Sequence, residues 1–195
     1  FEFERSESTM RLLNKFCLLL TSVILATFAL GCGVLGGSET IKIGLLSPQT
    51  GPIAQYAPGF EDAGRVAIAE LNAEHDGDYI FELIIGDSGC DGTQAATAAQ
   101  TLIDSGVKAI VGAACSGATL GAIAVTAPAG VPMISYASTS PAISGANDNG
   151  HLFRVVPSDA QQAVALAAVA SAAGVSKPAV LYMTNDYGAG LGDNF

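Results

Sequence analysis

From residue 41 to residue 183 short apolar runs alternate with longer stretches whose apolar residues recur at helical spacing. Strands are expected at residues 41–46, 79–85, 108–111, 131–136 and 179–183, with an extended segment at 152–156. Between the first two, Phe60, Ala63, Ala67 and Leu71 form one face of a helix, with Glu61, Asp62, Arg65 and Glu70 between them. Asp91, with Gln94 three residues on, opens a helix through Ala98, Leu102 and Ile103 that Gly106 ends. A helix over 116–127 follows, and a last one starts after Ser158 and Gln161 and stops at Gly174.

Strands separated by helices of this length join by right-handed crossovers into a parallel sheet covered on both faces. The fold class is therefore a doubly wound parallel α/β sheet. Ligands in such sheets bind beyond the carboxyl ends of the strands, so loops 47–58, 86–91, 113–118 and 137–144 are expected to meet on one rim.

The N-terminal part has a different character. Met10 opens a short basic segment with Arg11 and Lys15, followed by an apolar run over 16–30 that is shorter than the roughly 20 residues a spanning helix needs. This is the layout of an export signal. Ala29-Leu30-Gly31-Cys32 resembles a bacterial lipobox, with Ala29 where leucine is commoner, so Cys32 is expected to be lipidated and to become the N-terminus. The other reading of the segment is an ordinary secretory signal. Residues 1–31 are thus an upstream extension and signal, and 32–40 a glycine-rich tether. Export also bears on the cysteines. Cys17 lies in the apolar run and Cys32 in the lipobox, which leaves Cys90 and Cys115 as an expected disulfide in an oxidising compartment. Two free buried thiols are the alternative.

Three stretches on the expected rim carry a resemblance. They are Ser47-Pro48-Gln49-Thr50-Gly51-Pro52-Ile53-Ala54-Gln55-Tyr56; Asp87-Ser88-Gly89-Cys90-Asp91 together with Gly112-Ala113-Ala114-Cys115-Ser116; and Ser135-Tyr136-Ala137-Ser138-Thr139-Ser140-Pro141. In order and spacing they resemble the branched-chain amino-acid-binding branch of the type I periplasmic-binding proteins, and Asn185-Asp186-Tyr187-Gly188 looks like the opening of that family's second lobe. The resemblance implies two lobes closing on a ligand: lobe one over 41–155, then a hinge crossing and the start of lobe two over 156–195. The chain is on this reading a fragment that stops just inside lobe two.

The resemblance further implies that Ser116 and Thr139 donate hydrogen bonds to an amino-acid carboxylate and that Ala137 offers its carbonyl to the ammonium. Tyr56 and Tyr187 would flank the ligand. A helix start at Ser116 independently suits an anion, because first-turn N–H groups and the helix dipole point at it. Each residue also has a plainer role available: N-capping for Ser116, loop shaping for Thr139, and rim packing for the tyrosines. The implied function is an exported, lipid-anchored binder that delivers a branched-chain or related small amino acid to the permease of an ATP-driven (ABC) importer. The alternative is a sensor domain for an amide, urea or other small polar solute.

Other chemistries fit less well. A net charge of −10 excludes a nucleic-acid partner, which needs basic groups to neutralise phosphates. Gly86-Asp87-Ser88-Gly89 resembles the nucleophile segment of chymotrypsin-like proteases, but that fold is all-β and neither His75 nor His151 stands in a matching motif. His75, between Glu74 and Asp76, reads as a solvated surface residue. No phosphate-binding glycine fingerprint follows the first strand. The expectation is accordingly no enzyme, no cofactor and no metal.

Overall fold

The computed structural model describes residues 38–75, 77 and 79–195. The expected signal, the lipobox at Cys32 and most of the tether lie outside the described residues. Residues Glu39–Phe195 form one unit.

The central strand β1 (Glu39–Ser47) pairs in parallel with β2 (Tyr79–Asp87) on one side and β3 (Ala109–Val111) on the other. Next come β4 (Met133–Ser135) and β5 (Leu152–Arg154), giving the order β2-β1-β3-β4-β5, all parallel. The doubly wound parallel α/β sheet expected from the alternation is present, and the order reverses beside β1, where such sheets open a crevice.

Strand alternation sorts the layers. Leu46, Ile110 and Met133 point into a core built with Ala95, Ala99 and Leu102 of α2 (Gly92–Asp104) and Ala118 and Ala122 of α3 (Ser116–Thr126). Leu45 points the other way, toward α1 (Ala57–Glu74). Helices α2 and α3 pack so closely that a Cβ on Gly121 would collide with the Gly92 carbonyl. Helix α1 covers only β1 and β2, so Ile134 and Phe153, on its side of β4 and β5, stay exposed.

The inward stripe of α1 differs from the expected one. Ala57, Phe60, Gly64, Ile68 and Leu71 face inward while Ala63 and Ala67 are exposed. Alanine is compatible with either face, whereas Gly64 lets the helix settle onto Leu45 and Leu83. Asp91 caps α2 as expected, its carboxylate accepting the Gln94 N–H at 2.9 Å. The Gln94 side chain does not return the bond and reaches Asp87 instead. Ser158 caps α4 (Asp159–Ala172), accepting from Ala160 N at 3.3 Å. Residues 179–183 are not a strand: no strand among the described residues lies beside them, and Leu181 is 99% exposed. A run of β-favouring side chains without a neighbouring strand has no ladder to join. The chain ends with α5 (Asp186–Gly192), capped by Asn185.

Candidate functional site

The loops that leave the carboxyl ends of β1, β2, β3 and β4 enclose a cavity of about 660 Å³ together with residues of α4 and the segment leading into α5. The size suits a small molecule. Its wall includes Pro52 and Ile53 after β1, the Cys90–Cys115 pair, Ser116 and Gly117 at the start of α3, and Ala137 and Thr139 after β4. Asp91, Gly92, Ala114, Gln162, Met183, Asn185, Asp186 and Tyr187 complete it. Of the five residues expected at a ligand, Ser116, Ala137, Thr139 and Tyr187 are therefore together. Tyr56 is not in the wall; it is 57% exposed on a short 3-10 helix, Ala54–Tyr56, while its neighbours Pro52 and Ile53 line the cavity.

Two hydrogen-bonded clusters hold these loops. Asp87 accepts from Thr50 N at 3.1 Å, Thr50 Oγ1 at 2.7 Å, Gly89 N at 2.9 Å and Gln94 Nε2 at 2.9 Å, tying the β1 loop to the β2 loop. Burial alone raises the Asp87 pKa, but the bonds from Thr50, Gly89 and Gln49 outweigh it and hold the carboxyl below its ordinary value. The second cluster is of hydroxyls. Ser138 Oγ lies 2.8 Å from Thr119 Oγ1 and 3.0 Å from the Ala113 carbonyl, and Ser135 Oγ donates to the same carbonyl at 2.7 Å. Ser135, Ser138 and Thr119 are fully buried. They position the backbone on either side of Ala137 without touching the cavity. Nothing in their residue types marks them out in the sequence: Ser135 and Ser138 look like ordinary serines at a strand end and in a loop, and Thr119 like a threonine inside α3. Tyr136 adds a third tie, donating to the Leu46 carbonyl at 3.0 Å; burial and then the Glu61 charge push its pKa well up, so it remains a donor.

The expected disulfide is present: Cys90 and Cys115 are bonded across a Cα separation of 5.2 Å and clamp the β2 loop to the start of α3. Cys115, not Ser116, is the N-cap of α3. Ser116 stands at the first helical position with its hydroxyl accepting the Ser140 N–H at 3.2 Å. That bond uses a lone pair, and among the described residues the hydroxyl hydrogen has no acceptor. Thr139 has the opposite polarity. Its hydroxyl donates to Asp159 Oδ2 at 2.8 Å, so the hydrogen expected to reach a carboxylate is already committed. Asp186 Oδ2 comes close to Gly117, near enough that a Cβ there would sit 2.7 Å from it.

Ser88 is fully buried, His75 packs against Tyr79 and Phe81, and His151 Nδ1 lies 3.0 Å from the Asn149 carbonyl. The protease-like segment thus serves to fold a loop through Asp87. Among the described residues no group of three or more His, Cys, Asp or Glu is placed to hold a metal ion, and no helix is long and apolar enough to cross a membrane.

Residues 40–195 match the family described as Periplasmic binding protein. A leucine-, isoleucine-, valine-, threonine- and alanine-binding protein of Pseudomonas aeruginosa is 34% identical over 158 residues, which are 79% of this chain and 42% of that protein. The chain thus spans about two fifths of the length of that relative. An ABC transporter substrate-binding protein of Desulfitobacterium hafniense, solved in complex with Leu, superposes with a TM-score of 0.65 at 30% identity, over 80% of this chain and 46% of that one. A branched-chain amino acid transporter substrate-binding protein of Streptococcus pneumoniae, in complex with isoleucine, gives 0.56 at 32% identity over 63% of this chain and 35% of that one. A family match from β1 to the last residue, on a parallel sheet whose rim loops close one cavity, shows that the chain belongs to the periplasmic binding proteins, on the branch of the Leu/Ile/Val-binding proteins.

Proposed function

We propose that this chain carries the first lobe and hinge, with the opening of the second lobe, of an extracytoplasmic substrate-binding protein that captures a branched-chain or related small α-amino acid for an ABC importer. The reading places lobe one at 41–155 and the start of lobe two at 156–195. The observation that carries it is the meeting of Ser116 and Ala137 in one wall. Ser116 has its hydroxyl hydrogen free and sits in the first turn of α3, whose N–H groups have no intrahelical carbonyl, so this corner favours a carboxylate without any lysine or arginine. Ala137 offers a carbonyl and little bulk, which suits an ammonium. Tyr187 and Met183 supply apolar surface nearby for a side chain. The names of the relatives point to the same ligand class. Cys32 as a lipidated N-terminus would keep such a binder beside its permease.

Calorimetry of the complete mature protein against leucine, isoleucine, valine and alanine, with acetamide and urea alongside, tests the reading. One-to-one binding of an aliphatic amino acid, weakened at least tenfold by Ser116→Ala, is expected. Binding of the amides in preference to every amino acid would replace transport of amino acids by the sensing or uptake of small amides.

A further inference from the structure

Asp159 is fully buried, yet it faces no cation among the described residues, whose ion pairs all involve Arg65. It exchanges two hydrogen bonds with Thr139: its N–H donates to the Thr139 carbonyl at 2.8 Å, and the Thr139 hydroxyl donates to Oδ2 at 2.8 Å. Its other oxygen, Oδ1, is buried with no hydrogen-bond partner among the described residues. A buried carboxylate held by so few donors is costly, and such groups persist where they have a use. The first turn of α4 offsets part of the cost, because a negative side chain there meets the positive end of the helix dipole.

The use lies in what the bond does to Thr139. A carboxylate only accepts, so the shared hydrogen belongs to the threonine and the hydroxyl's remaining lone pairs face away from Asp159. Thr139 lines the cavity; Asp159 does not. We infer that Asp159 is a positioning residue that fixes the Thr139 hydroxyl as an acceptor in the cavity and, through it, makes the site select ligands that carry an ammonium beside their carboxylate. This deepens the proposed function and rests on it. Ser116 and Thr139 then present opposite polarities to one zwitterion: Ser116 has a hydrogen to give and Thr139 only lone pairs. Hydrogen bonds in a chain of this kind strengthen one another, and the outer charge makes the threonine oxygen a better acceptor for a cation.

The experiment compares leucine with 4-methylpentanoate, the same skeleton without its amino group, on the complete protein. Both ligands are titrated into each preparation, so their affinity ratio is independent of the fraction of protein that is folded. Thr139→Val is expected to lower the leucine to 4-methylpentanoate ratio by about 10- to 100-fold, the range for a hydrogen bond to a charged group. Thr139→Ser, which keeps the hydroxyl, restores most of it. Asp159→Leu, of similar shape but with no acceptor, lowers the ratio similarly, and adding it to Thr139→Val changes the ratio no further, because it acts through the hydroxyl that is already gone. Equal losses for the two ligands in Asp159→Leu would make the residue merely structural and overturn the inference. A further fall in the double variant would assign a direct charge effect and overturn it also. If Asp159→Leu does not fold, an unchanged ratio in Thr139→Val alone is enough to sink it. Absence of any amino-acid binding by the unmutated protein would refute the proposed function itself, a result distinct from the others.

Discussion

Thr119 and Ser138, nineteen residues apart, place their hydroxyl oxygens 2.8 Å from each other beneath the loop that carries Ala137 and Thr139. Both side chains are fully buried, and Ser138 also reaches the carbonyls of Ala113 and Ala114 at 3.0 and 3.2 Å. Ser138→Ala leaves the Ala113 carbonyl with the Ser135 hydroxyl but strips Thr119 of a partner. Thr119 keeps its bonds to the Ala113 N–H and carbonyl, so we expect a loss of about 0.5–1.5 kcal/mol in stability by urea denaturation, the net contribution of a hydrogen bond. Ligand affinity should fall too, since the same bonds fix the loop.

Reduction of the Cys90–Cys115 bond, or its replacement by serines, is expected to destabilise the fold. A bridge across 25 residues contributes about 3.5 kcal/mol in the chain-entropy treatment. Denaturation midpoints with and without reductant check this. The bond also joins two cavity-lining loops, so the reduced protein should bind ligand more weakly even under conditions where it is fully folded.

The sheet was legible from residue patterns because burial on both faces leaves continuous apolar runs, as in Ile43, Leu45 and Leu46, and because the caps at Asp91 and Ser158 have local signatures. The α1 stripe was misread where alanine, neutral between core and surface, stood in for a signal. Residues 179–183 have the composition of a strand, but strand formation depends on a neighbour and not on composition. In the site, Ser116, Ala137, Thr139 and Tyr187 came from family resemblance and do share a cavity. Asp159 was invisible because a carboxylate after an N-cap serine reads as ordinary helix-dipole chemistry. Only the fold shows that it is buried against Thr139.

Acid should loosen the rim through Asp87. Its pKa is lower in the folded protein than the ordinary aspartate value, so its bonds to Thr50, Gly89 and Gln94 contribute stability that is fully present above the unfolded value of about 4. That contribution is lost as pH falls through the folded value. Glu61 of α1, lowered first by the Gln49 bond and then by Ser47 and Arg65, works in the same direction beside the β1 loop. Thermal unfolding of the unmutated protein between pH 6 and 3, set beside Asp87→Asn, is the check. The variant should be less stable at pH 6, and the gap should narrow toward pH 3. A gap that stays constant over this range would show that the charge of Asp87 contributes nothing to folding.

The same substitution at two positions of α3 should give opposite results. A Cβ at Gly121 runs into the Gly92 carbonyl, which is backbone at the start of α2 and has no freedom to move unless the two helices part. Overpacking of this kind costs about 1–3 kcal/mol, more than the roughly 1 kcal/mol that alanine gains over glycine inside a helix. At Gly117 the new Cβ would meet only Asp186 Oδ2, at 2.7 Å, the end of a side chain that can swing aside. Gly117→Ala is therefore expected to leave stability within about 0.5 kcal/mol, as a change that meets no fixed atom does. Gly121→Ala should lower the urea midpoint clearly. Displacing Asp186 also moves a carboxylate from the corner where the ligand's own carboxylate is proposed to bind, so Gly117→Ala should change affinity without changing stability. Equal destabilisation by the two variants would mean that Asp186 is held as rigidly as the α2 backbone, and this account of the α3 start would fail.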